Sequence, residues 1–372
     1  MKIKTTAKKL KQGLQVVEGA LPTRTPIPAA THVKISVTGK SLTLTTTNLH
    51  TLIHFTFQVE GLKDGIAVVP AKRLLDFCKT LSSEEIELTR DGKRLSIRAG
   101  RALLELPVMS DDEFPAAPVT TGRTLQVKQA ELKEALRLTS FAAEQNTDRY
   151  ILNGCYLTVS PDGKSCSLLA TDSRRLARYS FAPTKTPEEP EKIKFLVPQA
   201  VAKLLQDHLA YETDAIITQG ERHVSVQFAL ETGESYYLHF NQVEGNYPDC
   251  RALIPETSSK NTINREAMLQ ALKRAISAVD TTGRVQLTFN PLAVEIEAAA
   301  ASSASTTAGR TVEPVPAQYS GKIMTATFTP KYLVEVLEEL TGETVDFDIK
   351  GEEQPLIITS NEYIYLNMPL RA

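Results

Sequence analysis

The sequence predicts an α+β protein built from three tandem copies of one domain, each a pair of helices laid on antiparallel strands. Three observations predict it. A strand-to-helix stretch occurs three times, as Val68-Val-Pro-Ala-Lys-Arg-Leu-Leu75, Phe195-Leu-Val-Pro-Gln-Ala-Val-Ala-Lys-Leu-Leu205 and Phe328-Thr-Pro-Lys-Tyr-Leu-Val334, with a period of about 130 residues. A second helical stretch precedes each copy by roughly 60 residues, a constant spacing within a domain-sized period. These stretches begin at Ala7, Lys128 and Arg265. Each period also closes on a similar tail: Leu103-Leu-Glu-Leu-Pro-Val-Met109 to Phe114-Pro115, Tyr236-Tyr-Leu-His-Phe240 to Tyr247-Pro248, and Tyr363-Ile-Tyr-Leu-Asn-Met-Pro369. The expected boundaries are 1–121, 122–256 and 257–372, and each copy is long enough to bury a core.

The helices follow from apolar residues at helical spacing, such as Leu204, Leu205 and Leu209, or Leu333, Val336, Leu337 and Leu340. The prolines Pro70, Pro198 and Pro330 are read as first-turn residues, where a missing N–H has no partner to lose. The strands follow from alternation. His32–Val37 and Ser41–Thr46 flank the turn Thr38-Gly-Lys40, Glu85–Thr89 and Leu95–Arg98 flank Asp91-Gly92, and Cys155–Val159 and Ser165–Leu169 flank Pro161-Asp-Gly163. Residues 119–124 and 254–262 are rich in Pro, Thr, Ser and Gly and read as linkers. Ala298 to Arg310 is low in complexity and reads as a mobile hairpin insertion in the third copy.

Composition bounds the function. Apolar residues make up 42% and charged residues 23% of the 372, with a net charge of −2, which is ordinary for a soluble protein. No run of about 18 apolar residues is present, so no membrane span is expected. The basic start Met1-Lys-Ile-Lys4 has no apolar segment behind it, which argues against a secretory leader. Cys78, Cys155, Cys166 and Cys250 are scattered without CxxC spacing, as expected of buried free thiols in the cytosol. The six helical windows hold 14 basic and 9 acidic residues, while the remainder holds 28 and 35. Positive charge is concentrated on the helices.

The sequence makes no positive case for catalysis. The six histidines lie far apart, none in a metal-ligating helix, and no metal or cofactor is expected. Gly39-Lys40-Ser41 mimics the end of a phosphate-binding loop, but position 34 is Lys34 where a glycine is required. Asp172 and Ser173 could be imagined as nucleophilic machinery of a hydrolase; an Asp-Ser turn is the simpler reading. A three-domain adhesion or carbohydrate-binding protein is the alternative that the repeat alone allows, and the free cysteines and missing leader count against it.

Arg149-Tyr-Ile-Leu-Asn-Gly154, Ala170-Thr-Asp-Ser-Arg-Arg-Leu176, Glu244-Gly-Asn-Tyr-Pro-Asp249 and Met368-Pro-Leu-Arg371 are the most specific stretches. On these, and on the three-fold period, the whole chain resembles the bacterial DNA polymerase III β subunit, the DNA sliding clamp. The resemblance implies a non-catalytic processivity factor. Two chains would join head to tail, six domains would close a ring around duplex DNA, and helices would line the hole with sheets outside. Twelve helices of about 10 Å diameter set on a circle leave roughly 28 Å open, enough for a duplex and a layer of water. A mildly positive pore would attract DNA without locking it, and no base would be read.

The resemblance also implies sites. DNA contacts would come from Lys8, Lys9, Lys11, Arg24, Lys72, Arg73, Lys133, Arg137, Gln145, Asn146, Arg149, Tyr150, Lys203, Lys273 and Arg274. Gln199 and Ala200 stand where relatives often carry basic residues. A pocket for short apolar peptide motifs of the polymerase, clamp loader and repair proteins would comprise Leu152, Thr171, Ser173, Arg174, Arg175, Leu176, Pro248, Leu253, Pro355, Leu366, Met368, Pro369, Leu370 and Arg371. Its leucines and methionine give an adaptable apolar cleft, with the arginines at the rim. Ser173 and Arg174 replace a frequent Gly-His, and Ala252 a frequent basic residue. Leu104, Ser277 and Ala278 fall at the expected dimer contact.

Overall fold

A computed structural model describes residues 1–371 except 83–84, 211, 231–232, 256–260, 279–282 and 300–308. One order of elements runs through the chain three times. The first copy comprises β1 (Lys2–Thr6), α1 (Ala7–Glu18), β2 (His32–Thr38), β3 (Ser41–Thr47), β4 (Thr51–Gln58), β5 (Glu60–Lys63), β6 (Gly65–Pro70), α2 (Ala71–Thr80), β7 (Glu85–Asp91), β8 (Arg94–Ala99) and β9 (Ala102–Pro107). The second lacks only the short β5 counterpart: β10 (Arg123–Lys128), α3 (Gln129–Ser140), β11 (Gly154–Val159), β12 (Cys166–Thr171), β13 (Arg175–Phe181), β14 (Lys194–Pro198), α4 (Gln199–His208), β15 (Asp214–Gln219), β16 (His223–Ala229) and β17 (Ser235–Asn241). The third follows it: β18 (Asn261–Asn264), α5 (Arg265–Ala278), β19 (Val285–Asn290), β20 (Ala293–Ala299), β21 (Arg310–Gln318), β22 (Met324–Phe328), α6 (Pro330–Glu339), β23 (Thr344–Asp348), β24 (Leu356–Ser360) and β25 (Tyr363–Asn367).

The helices form where the period demanded them, for local reasons. The Thr6 hydroxyl accepts the Lys9 N–H at 3.2 Å and opens α1. Ala7, Leu10, Gly13, Leu14 and Val17 form its buried face, which packs on α2, β3 and β4, while Lys8 and Lys9 stay exposed. A Cβ at Gly13 would lie 2.8 Å from the Phe57 ring, so only glycine admits this approach. Asn264 caps α5 by accepting the Ala267 N–H at 2.8 Å. The prolines divide. Pro330 is the first residue of α6, as expected, but Pro70 and Pro198 end β6 and β14 and pair with His32 and Gly154. Both strands stand at the end of their sheets, where a residue without an N–H costs no ladder bond.

The sheets cross the copy boundaries, and the chain forms two compact bodies. The first comprises Met1–Lys133, Pro183–Ile193 and Lys203–Gln242. It contains the five-stranded sheet β5-β1-β7-β8-β9 and the eight-stranded sheet β10-β15-β16-β17-β4-β3-β2-β6. The second comprises Glu134–Ala182, Lys194–Ala202 and Val243–Ala372. Its single twelve-stranded sheet runs β14-β11-β12-β13-β25-β24-β23-β18-β21-β20-β19-β22. All the named pairings are antiparallel, so each hairpin can bury one face, as alternation predicted.

The same strand junction occurs in both bodies. In the first, β17 of the second copy pairs with β4 of the first copy, with Tyr236 opposite Phe55. In the second, β25 of the third copy pairs with β13 of the second, with Tyr363 opposite Tyr179. Tyr236 and Tyr363 lie two residues before Leu238 and Tyr365, which face the equivalent Val226 and Ile358 on the neighbouring strands.

One expectation is corrected, and two others fall partly outside the described residues. Residues 119–122 are not a free linker: Thr120 bonds His239 at 3.1 Å, and a Cβ at Gly122 would lie 1.9 Å from the Gln219 carbonyl oxygen. The ordered strands begin at Arg123 and Asn261, inside both proposed linkers, while 256–260 lie outside the described residues. Ala298 and Arg310, the ends of the proposed hairpin insertion, belong to the paired strands β20 and β21; 300–308 between them are outside the described residues. The four cysteines are buried and free, and burial pushes the thiols of Cys78, Cys155 and Cys166 up to about 12.

Candidate functional sites

The turn from β12 to β13 carries the residues singled out as a peptide pocket. Asp172 organises it. Its Oδ1 accepts the backbone N–H groups of Arg174 and Arg175 at 2.9 and 3.0 Å, and Ser173 takes a left-handed conformation at φ 74°. Thr171 accepts the Ser173 N–H and donates to the Arg175 carbonyl. Asp172 is therefore a turn cap, the simpler of its two readings.

Arg174 and Arg175 differ completely. Arg174 is exposed, whereas Arg175 is 6% exposed. The Arg175 Nε donates to Asp172 Oδ2 at 3.0 Å, Nη1 to Glu335, and Nη2 to the Phe141 carbonyl at 2.7 Å. Its guanidinium lies 4.3 Å from the Tyr332 ring centroid, a cation–π contact. A buried charge persists when its hydrogen bonds are met, and these partners come from β13's own turn, α3's end and α6. Arg175 is spent inside the fold; of the two, Arg174 is the one a ligand can reach.

The apolar members form a floor and a rim. Leu176, Leu366 and Ile357 stand opposite one another on β13, β25 and β24. With Leu169 and Cys250 they make one buried cluster, against which Tyr247, Ile254 and Ile364 pack. Leu152 and Thr171 are buried too, and Pro355 is half-buried. Pro248, Leu253, Ser173, Arg174, Met368 and Arg371 are exposed, and Pro369 and Leu370 half-buried. The C-terminal stretch is tied down by Met368 N–H to the Arg174 carbonyl at 2.9 Å and Leu370 N–H to the Thr327 carbonyl at 2.8 Å. Sequence reasoning passed over Asn367. It is fully buried, and neither atom of its amide has a hydrogen-bond partner among the described residues. An asparagine at an inward position of an alternating strand was the available signal.

The proposed DNA-facing residues also divide. Lys8, Lys9, Lys72, Arg73 and Lys203 are exposed on helices, Lys11 and Lys133 are half-buried, and none of these forms an ion pair among the described residues. Arg24 is exposed in the segment after α1. Arg137 is occupied instead, bridging both oxygens of Glu134 and reaching Glu339 at 2.7 Å. Lys273 pairs with Glu338 at 2.7 Å, and Arg274 holds Glu313 in a bidentate contact at 2.6 and 2.8 Å. Gln145, Asn146, Arg149 and Tyr150 are exposed on and before a 3₁₀ turn at Thr147–Leu152. Arg149 lies 3.8 Å from Glu144 and 3.4 Å from the Ser173 hydroxyl. Gln199 starts α4, its N–H bonded to the Asn153 carbonyl.

Of the dimer residues, Leu104 is half-buried on β9, the last strand of its sheet. Ser277 is exposed at the end of α5, its hydroxyl turned back onto the Arg274 carbonyl, and Ala278 ends the helix. Among the described residues no group of His, Cys, Asp or Glu could hold a metal ion, and no helix is long and apolar enough to cross a membrane.

Tandem α+β modules zipped through one recurring strand junction, with exposed lysines on their helices, define a clamp-type scaffold. The chain belongs to the DNA polymerase III beta subunit family, whose N-terminal, central and C-terminal domains match residues 1–118, 126–249 and 251–371. It is a sliding clamp, a non-catalytic processivity factor of DNA replication. The beta sliding clamp of Bacillus subtilis is 29% identical over the full length of both chains, and that of Pseudomonas putida 28% over 96% of each. Among solved structures, the DNA polymerase sliding clamp of Bacillus subtilis matches at 26% identity with a TM-score of 0.87, covering 100% of this chain and 99% of that one. The DNA polymerase III subunit beta of Pseudomonas aeruginosa matches at 24% identity with a TM-score of 0.88 over all of both chains.

Proposed function

We propose that two copies of this chain join head to tail into a ring of six domains, with boundaries near 1–121, 122–256 and 257–372, that encircles duplex DNA in the cytoplasm. The observation that carries the reading is the recurring junction. Each copy of the fold offers its last strand to the fourth strand of the preceding copy, as β17 does to β4 and β25 to β13. One last strand, β9, and one fourth strand, β21, are left over. β9 ends its sheet, and β21 pairs on its second side only at Ala317 and Gln318. A second copy satisfies both edges.

DNA is then held by topology. Lys8, Lys9, Lys72, Arg73 and Lys203 supply a diffuse attraction to phosphates without base contacts. Arg24 and the loop at Gln145–Tyr150 add contacts, whereas Arg137, Lys273 and Arg274 contribute less, because Glu134, Glu339, Glu338 and Glu313 already offset their charge. The polymerase, the clamp loader and repair proteins dock short apolar motifs over Leu176 and Leu366, between Leu253 and Met368, with Arg174 at the rim. A solved sliding clamp of Pseudomonas aeruginosa bound to griselimycin is 25% identical to this chain with a TM-score of 0.89; griselimycin is the compound to try as a competitor of partner peptides on this chain.

The test is primer extension by a cognate polymerase catalytic subunit and clamp loader on a long primed circle. Addition of the chain lengthens the products of single binding events. Unchanged product length with an active loader and polymerase overturns the reading.

A further inference from the structure

The first strand of each copy has one edge to spare, and the copies treat it differently. β1, β10 and β18 precede the first helix, and each pairs on one side with the strand that follows the second helix. On the other side of β1 lies the four-residue β5, with Lys2 opposite Lys63 and Lys4 opposite Glu60. On the other side of β18 lies β21, with Thr262 opposite Gln318. Among the described residues the second copy has no such strand. β10 ends its sheet, and residues 183–193 take the place of β5 in the chain. Their backbone meets β10 at Gln126, which stands opposite Lys185 and whose carbonyl accepts the Thr184 N–H at 2.8 Å.

Beyond Gln126 the edge is bare. Thr124 holds the position of Lys2, five residues before the first helix of its copy. The register fixes which way its backbone points. The Gln129 N–H bonds the Thr213 carbonyl on the β15 side, so by alternation Val127, Leu125 and Arg123 bond β15 as well. Thr124, like Gln126, therefore turns its N–H and carbonyl outward, and neither group has a hydrogen-bond partner among the described residues. The neighbouring segment is unable to supply one. Carrying the Gln126–Lys185 register on by two residues would set Pro187 opposite Thr124, and proline has no N–H to give. The segment leaves instead through Glu189, at φ 48°, into a 3₁₀ turn at Pro190–Lys192. A cleft of about 560 Å³ separates it from β10, walled by Gly122, Arg123, Thr124 and Gln126 on one side and residues 185–189 on the other.

We propose that the open edge of β10 docks an extended, proline-free segment of a partner protein, which joins the sheet as the strand this copy lacks. Strand addition of this kind is recognised through the main chain. The sister copies show what fits, because each covers the same edge with a strand. The size agrees. From the rise, spacing and thickness of a sheet, one strand residue fills about 160 Å³, so the cleft takes roughly three or four; β5 has four. The walls suit charged flanking side chains of either sign: Lys185 and Glu188 are exposed there, without an ion pair among the described residues. Arg123 and Glu189 join the two walls at 2.9 Å. Both are solvent-accessible, so an entering strand parts them without stranding a buried charge. An open edge invites indiscriminate pairing, and the arm at 185–189 limits what reaches this one to a short segment. The site lies in the first body, whereas the cleft around Leu176 and Leu366 lies in the second.

Peptide display on the full chain tests the site. Random octapeptides on phage are selected on the parent and counter-selected on Thr124→Pro. This substitution removes the outward N–H and spares the ladder to β15, and Arg123 before it is already in a strand, as a residue preceding proline prefers. The expected result is a set of proline-free peptides that bind the parent and bind Thr124→Pro about tenfold more weakly or worse, through one lost hydrogen bond and the bulk of the ring. Methylating alternate amides of a selected peptide reads the same ladder from the ligand's side and needs no variant. Methylation in the phase that faces β10 is expected to abolish binding, and in the other phase to leave it. Peptides that bind parent and Thr124→Pro alike, equal loss from both methylation phases, or no enriched peptide overturns the proposal. Self-association of the parent that Thr124→Pro removes, read by sedimentation, assigns the edge to a second copy and overturns the partner segment.

Discussion

Substituting Arg175 separates the two adjacent arginines. Arg175→Met removes the guanidinium and keeps much of the side chain's bulk. It leaves the Phe141 carbonyl without its donor and strips Glu335 and Asp172 of their shared counter-charge. Breaking a buried ion pair from one side costs about 3–5 kcal/mol. The lower end applies here, because Glu335 keeps Lys331 at 3.6 Å and Asp172 keeps its two turn bonds. A loss of about 3 kcal/mol corresponds to a fall in Tm of roughly 6–12 °C for a body of this size. Arg174→Ala touches only an exposed side chain and is expected to stay within about 0.5 kcal/mol of the parent. Its cost falls on peptide affinity. Differential scanning calorimetry on both variants decides. Equal melting of Arg175→Met and the parent refutes the structural role given to Arg175.

Three further outcomes follow from the same geometry. Burial, then the Lys34 charge, lowers the His54 pKa to about 4, and burial, then His223 and His54, lowers that of His239 to about 4. The unfolded chain binds these protons first, so stability is complete above pH 6.5 and falls between pH 6.5 and 4 by about 2–3 kcal/mol per histidine; urea unfolding at several pH values reads it, and a His239→Gln variant flattens the slope. Gly154→Ala puts a Cβ 2.3 Å from the Val197 carbonyl oxygen and pries β11 from β14; a loss above about 2 kcal/mol is expected in the same unfolding assay. Lys72→Glu with Arg73→Glu reverses two exposed helix charges and is expected to leave the melting temperature unchanged while lowering the salt sensitivity of DNA association, measured as the slope of log affinity against log salt.

The helices were legible because their cause is local. Apolar spacing and flanking polar residues place all six within a few residues, and the hairpins follow from alternation and turn glycines. The prolines were half legible: a missing N–H is tolerated both at a helix start and on an edge strand, and only the sheet order tells Pro330 from Pro70 and Pro198. The first linker was misread because Thr120 and His239 are 119 positions apart in sequence. Arg175 looks no different from Arg174 until Glu335, 160 positions away, is brought beside it. The same holds for Arg137 and Glu339. Site residues whose role depends on long-range burial carry no local mark, and Asn367 is another.

Retention on circular DNA tests the central claim most directly. The chain is loaded onto a nicked circle by a cognate clamp loader and filtered in high salt, and the circle is then cut. Retention through the salt wash with release only on linearisation is the predicted result, because a closed ring is held by topology and not by ionic contacts. Loss in high salt while the circle is intact contradicts the ring.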